Sequence, residues 1–134
     1  MIKELKGNFF QITSIMIIWV YFLSAFGKVG GSDYSFFGRI ILIGLLFGLT
    51  FGVIYAYLWK YSTFKVITNI IISSLVNLFC GLLSVYLFSK EMFNFIFPYI
   101  YIMVIIVFIG HIIGFYFYSK HENKVISDEL NSVL

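Results

Sequence analysis

The run Ile40-Ile41-Leu42-Ile43-Gly44-Leu45-Leu46-Phe47-Gly48-Leu49-Thr50-Phe51-Gly52-Val53-Ile54-Tyr55-Ala56-Tyr57-Leu58-Trp59 lies between Arg39 and Lys60 and carries no charged side chain. Coiled as an α-helix it rises about 30 Å, the thickness of a bilayer's hydrocarbon core. Two more charge-free runs follow the same rule: residues 9–26, between Lys6 and Lys28, and residues 66–88, between Lys65 and Lys90. The last uncharged stretch, residues 92–119, is longer than a span requires. Its Pro98, the only proline, suits a first helical turn, with Asn94 upstream as a cap. The fourth span is therefore predicted over residues 98–118, with residues 93–97 at the interface. A β-barrel strand would alternate in polarity, and Ile100-Tyr101-Ile102-Met103-Val104-Ile105-Ile106-Val107 does not. The predicted fold is an all-α integral membrane protein, a four-helix transmembrane bundle.

Composition agrees. Apolar residues make up 61% of the 134 and charged residues 11%, against about 25% in an ordinary soluble domain. Mean hydropathy is +1.01. A soluble domain of this size leaves too much surface exposed to hide that much apolar area. Intrinsic disorder needs the opposite composition, and a single cysteine, Cys80, excludes a disulfide scaffold. The connections at residues 27–39, 60–65 and 89–97 are short, so consecutive helices are antiparallel neighbours. The chain reads as one four-span domain, residues 1–134, with no internal repeat and a tail over residues 119–134. Ala25-Phe26-Gly27 imitates a signal-peptide cleavage site, but the apolar core before it, about 17 residues, is long for a signal peptide. We keep it as the first span.

Orientation follows from positive charge. Lys3, Lys6, Lys60, Lys65, Lys120 and Lys124 gather on one side, against Lys28, Arg39 and Lys90 on the other. Both termini are expected in the cytoplasm, with Tyr55, Tyr57, Trp59, Tyr61, Tyr116 and Tyr118 near that interface.

Three constellations stand out within the spans. Gly44, Gly48 and Gly52, extended by Ala56, repeat every four residues and open a groove for close helix packing, either within the bundle or in a homo-oligomer. On this reading Leu46 faces lipid. Asn69, Ser73, Asn77, Gly81 and Ser84 share a face of the third span, with Cys80 beside it. They serve either as interhelical hydrogen-bonding glue or as a polar path, and the absence of Asp, Glu, Lys and Arg from every span favours glue. His111, between the helix-packing candidates Gly110 and Gly114, is an intramembrane ionisable group without an acidic partner. It is expected to be a structural hydrogen-bonding residue facing Asn69 or Ser73.

His111, His121 and Cys80 have no metal-ligand spacing, and no nucleotide loop, nucleophile elbow or zinc-protease pair occurs. No enzyme activity, cofactor or metal is expected. The tail alternates Lys120, Glu122, Lys124, Asp128 and Glu129 with Ile126, Leu130 and Val133 or Leu134 at helical spacing. As a helix continuing the fourth span, it packs on the 60–65 loop or docks a cytosolic partner through Ile126 and Leu130.

Four short spans, the glycine-lined second span, the exit Leu58-Trp59-Lys60-Tyr61 and the passage through Tyr118-Ser119-Lys120 into Ile126-Ser127-Asp128-Glu129-Leu130 form a recognisable set. Together they resemble the bacterial four-span membrane proteins encoded beside LytTR-type DNA-binding regulators, with Ser127 where asparagine is expected. The resemblance covers nearly the whole chain. It implies a multi-pass protein of the bacterial cytoplasmic membrane that antagonises a cognate transcription regulator by holding it there. The chain itself would touch lipid and that regulator but no nucleic acid. The alternative function is a small transporter, a bacteriocin-immunity protein or a holin-like unit.

Overall fold

The computed structural model of the protein describes residues 1–27 and 34–133. All their regular secondary structure is helical: α1 (Ile2–Gly27), α2 (Tyr34–Phe47), a π-helical stretch (Gly48–Tyr55), α3 (Ala56–Lys60), α4 (Val66–Phe88), α5 (Lys90–Ile96), a 3₁₀ turn (Phe97–Tyr99) and α6 (Ile100–Val133). Joined end to end where no loop intervenes, these pieces make four helices long and apolar enough to cross a membrane. Lys28 and Leu134, used in the charge and tail readings, lie outside the described residues.

The helices exceed the apolar runs. α1 begins at Ile2, with Glu4 in its first turn, where a carboxylate complements the helix dipole. The second helix begins at Tyr34 and so takes up part of the connection expected over residues 27–39. The largest departure concerns the fourth span. Asn94 is not a cap: it lies inside α5, whose last residue, Ile96, leads into the 3₁₀ turn. Ser89, extended at φ −154° and ψ 120°, ends α4 and caps α5, its hydroxyl accepting from the Met92 amide at 3.3 Å. Pro98 then falls in the 3₁₀ turn that joins α5 to α6. Proline has no N–H to give an α-helical bond, and the tightened turn carries the helix past that gap. α6, 34 residues long, rises about 51 Å, so it outruns a hydrocarbon core by several turns.

Packing follows chain order: α1 lies on α2 and the π-helical stretch, α2 on α4, and α4 on α6. A small apolar cluster of Val20, Phe36, Ile40 and Ile43 joins α1 to α2, with Phe88 of α4 against it. Among the described residues, buried polar side chains outnumber buried apolar ones by eight to seven, while Trp19, Ile105 and Phe117 are more than half exposed. This inversion suits lipid, where apolar surface has no reason to hide and polar groups do. The end carrying residues 60–65 also carries the start of α1: Lys60 Nζ pairs with Glu4 Oε1 at 2.8 Å, and the Tyr61 hydroxyl donates to Glu4 Oε2. At the other end Arg39 sits 5.1 Å from the Phe36 ring and Lys90 5.7 Å from the Tyr86 ring.

Candidate functional site

The glycine groove of the second helix is filled by α1 of the same chain. A Cβ placed on Gly44 would lie 2.5 Å from Ile17 Cγ1 and 3.0 Å from the Thr13 carbonyl oxygen. On Gly48 it would collide with the Thr13 hydroxyl and stand 3.0 Å from the Phe9 carbonyl oxygen. On Gly52 it would lie 2.8 Å from Phe9 N and Cα. Backbone therefore meets backbone where the sequence supplies glycine. Leu46 is half-buried rather than lipid-facing; Leu42, Leu45 and Leu49 are the exposed leucines of this helix. Gly110 does not pack at all, being exposed with nothing within 4 Å of a Cβ, and Gly114 makes only an ordinary contact with Trp59, at 3.4 Å.

Two residues of the polar stripe of α4, Asn69 and Ser73, spend their side chains on hydrogen bonds, while Ser84 Oγ is buried without a partner among the described residues. Asn69 donates through Nδ2 to the Leu58 carbonyl at 2.9 Å, satisfying one of the carbonyls that the end of the second helix leaves free. Its Oδ1 accepts from the Ser62 hydroxyl at 3.2 Å, fixing the following loop. The Ser73 hydroxyl returns to its own helix, donating to the Asn69 carbonyl at 2.5 Å. His111 is buried, but it meets neither side chain. Tyr55 stands between: its hydroxyl reaches the Ser73 carbonyl oxygen at 2.9 Å and His111 Nε2. His111 Nδ1 lies 2.7 Å from the Val107 carbonyl oxygen, which can only accept. In the neutral form of the ring this contact puts the proton on Nδ1 and leaves Nε2 as the acceptor facing Tyr55. One phenolic proton faces two acceptors, of which the imidazole nitrogen is the stronger base.

In the sequence Tyr55 belongs with the interfacial aromatics and does not stand out as a site residue. The available signal was its place four residues before Trp59, since i and i+4 share a helix face. The two rings are stacked at 5.9 Å and 14°, and Trp59 continues edge-on to Phe115 at 5.6 Å and Tyr118 at 5.3 Å. The π-helical stretch ends at Tyr55 itself. Such i→i+5 segments re-aim the residues that follow and occur often at functional sites.

Asn77 joins none of these bonds among the described residues. With Tyr55, Trp59, Val107, Gly110 and His111 it lines a pocket of about 280 Å³ between the second helix, α4 and α6. Trp59 Nε1 is buried without an acceptor. Towards the other end, Met16, Phe47, Ser84 and Phe88 help line an apolar groove of about 250 Å³. Among the described residues, no group of three His, Cys, Asp or Glu side chains is placed to hold a metal.

The tail continues α6 without a break to Val133. Ile126 is 50% and Leu130 63% exposed, so neither packs on the 60–65 loop. That loop is held instead by Glu4, and the Tyr61 hydroxyl, donating to this carboxylate, is kept above the usual phenol range. The side chains of Glu129 and Val133 lie outside the description. Comparison with protein-family models, curated proteins and solved structures finds no match for the chain.

Proposed function

We propose that this chain is a non-enzymatic regulatory protein of the bacterial cytoplasmic membrane that holds a cytosolic transcription regulator through its tail. The observation that carries this reading is α6 itself: it outruns the apolar stretch and presents Ile126 and Leu130 one turn apart, both at least half exposed. An amphipathic helix with anchors four residues apart is the usual form of a helix-in-groove ligand. Charge bias supports an orientation with both termini in the cytoplasm, where such a regulator resides. The resemblance to membrane proteins encoded beside LytTR-type regulators supports the partner's class. Transport or pore formation is less well supported, because Asn69 and Ser73 spend their side chains on helix ends and backbone rather than on a path.

The test is co-purification from native membranes of the wild-type chain and of an Ile126→Ser, Leu130→Ser double variant, at equal membrane abundance. Apolar anchors of this size contribute about 1.5–3 kcal/mol each when buried, so losing both releases a partner of modest affinity. A DNA-binding regulator retained by wild type and lost from the variant is the expected result. A wild-type chain that retains no such regulator sinks the proposal.

A further inference from the structure

We infer that Tyr55 and His111 form a proton-binding site inside the bundle, in which uptake of one proton by His111 Nε2 turns the Tyr55 hydroxyl from the imidazole to the Ser73 carbonyl oxygen. Its chemistry is independent of the role of the tail.

Three links join four groups in a row: His111 Nδ1 to the Val107 carbonyl oxygen at 2.7 Å, His111 Nε2 to the Tyr55 hydroxyl, and that hydroxyl to the Ser73 carbonyl oxygen at 2.9 Å. Each link needs one hydrogen. The carbonyl oxygens that close both ends of the row bring none. A neutral imidazole and a phenol supply two hydrogens between them, so one link stays unfilled. An imidazolium supplies two by itself, and with the phenolic hydrogen every link is filled. In that state Nε2–H donates to the Tyr55 oxygen, and Tyr55 donates to Ser73. The added proton comes from the aqueous phase, and no covalent bond breaks. Uptake thus completes one row of hydrogen bonds from α6 through the second helix to α4.

The surroundings decide how the charge is held. His111 is buried, and the second helix, α4 and α6 offer it no Asp, Glu, Lys or Arg within the spans. The titratable side chains facing the network are Tyr55 of the second helix and Cys80 of α4, next to Tyr55. Lys60, Glu4 and Glu122 gather instead around Tyr118, about two turns further along α6. A cation without a counter-charge is held by its hydrogen bonds, and a charged donor makes the stronger ones. A pocket of about 280 Å³, which His111 shares with Tyr55, Asn77 and Gly110, leaves room for several water molecules beside the ring. That eases the cost of taking a charge out of water.

The test uses the full-length chain in lipid vesicles with His121→Gln, which leaves His111 as the sole histidine. With isotope-labelled histidine nitrogens, solid-state NMR separates a bare ring nitrogen from a protonated one. One of each is expected at about pH 8, and two protonated nitrogens at about pH 5. Serine labelled at its carbonyl carbon and its nitrogen singles out the Ser73 carbonyl, because Ser73-Ser74 is the one serine–serine pair of the chain. That carbonyl resonance should move together with the ring nitrogens as it gains the Tyr55 hydrogen. Tyr55→Phe removes the acceptor of Nε2–H. At a pH where both forms of the ring coexist, the ratio of charged to neutral should then fall about tenfold. A ring that stays neutral at about pH 5, a Ser73 carbonyl that does not follow the ring, or a folded Tyr55→Phe chain with an unchanged ratio overturns the inference. Should Tyr55→Phe fold poorly, the Ser73 carbonyl of the parent chain decides alone.

Discussion

Gly52 and Gly81 are both helical glycines, yet the structure predicts opposite outcomes for replacing them by alanine. At Gly52 a methyl group would press on Phe9 backbone atoms at 2.8 Å, which cannot turn aside. Gly52→Ala should lower stability by about 1–3 kcal/mol, the usual cost of overpacking. At Gly81 nothing lies within 4 Å, and alanine gains up to about 1 kcal/mol of helix propensity. Thermal unfolding in one detergent separates the two; equal midpoints would mean that the groove is open. Tyr55 and His111 test the polar network in the same assay. Removing the hydroxyl by Tyr55→Phe should cost about 1 kcal/mol. In a double-mutant cycle with His111→Gln the two losses should fall short of additive, because both remove one shared hydrogen bond. Strict additivity would show that the Tyr55–His111 contact contributes nothing. The candidates at this scale are readable from spacing alone for Gly44, Gly48 and Gly52 and for Asn69 and Ser73, but not for Gly110 and Gly114, which fill no groove. Tyr55 is not readable either, since a tyrosine near a basic helix exit looks the same whether it anchors an interface or bridges two helices.

Helix boundaries depend on local chemistry, and two of them can be moved. Ser89 is the side chain that ends α4 and starts α5, so Ser89→Ala should destabilise the junction by about 1 kcal/mol, as loss of an N-cap does. Asn94→Ala, at the cap position suggested by sequence, should change little, and a larger loss there than at Ser89 would reverse the assignment. Pro98 misled the sequence reading for an identifiable reason. Proline often opens a helix, but in a 3₁₀ turn it also sits inside a nearly continuous one, and the two cases share the same local sequence. The runs ending at Trp59 and Phe88 were legible to within a residue because charged or polar residues close them.

Across the molecule, the sequence implies an orientation that fusion reporters can check. Fluorescent reporters at Met1 and after Leu134 should both read cytoplasmic, and an insertion between Gly27 and Tyr34 should read external. A tail that reads external would remove the proposed partner from reach. What the sequence by itself determined is the helical class and the presence of four runs long and apolar enough to cross a membrane. In lipid every backbone N–H and C=O must be satisfied within its own segment, so an apolar run of about 20 residues has little choice but to coil. The tertiary structure decided what those helices do with one another. That Gly44, Gly48 and Gly52 receive α1 rather than a second copy, and that Tyr55 reaches His111 across 56 residues of sequence, is written in no local pattern. Between helices in lipid there is little hydrophobic drive to choose a partner. The choice falls to shape and hydrogen-bond complementarity, which exists only once distant segments are side by side.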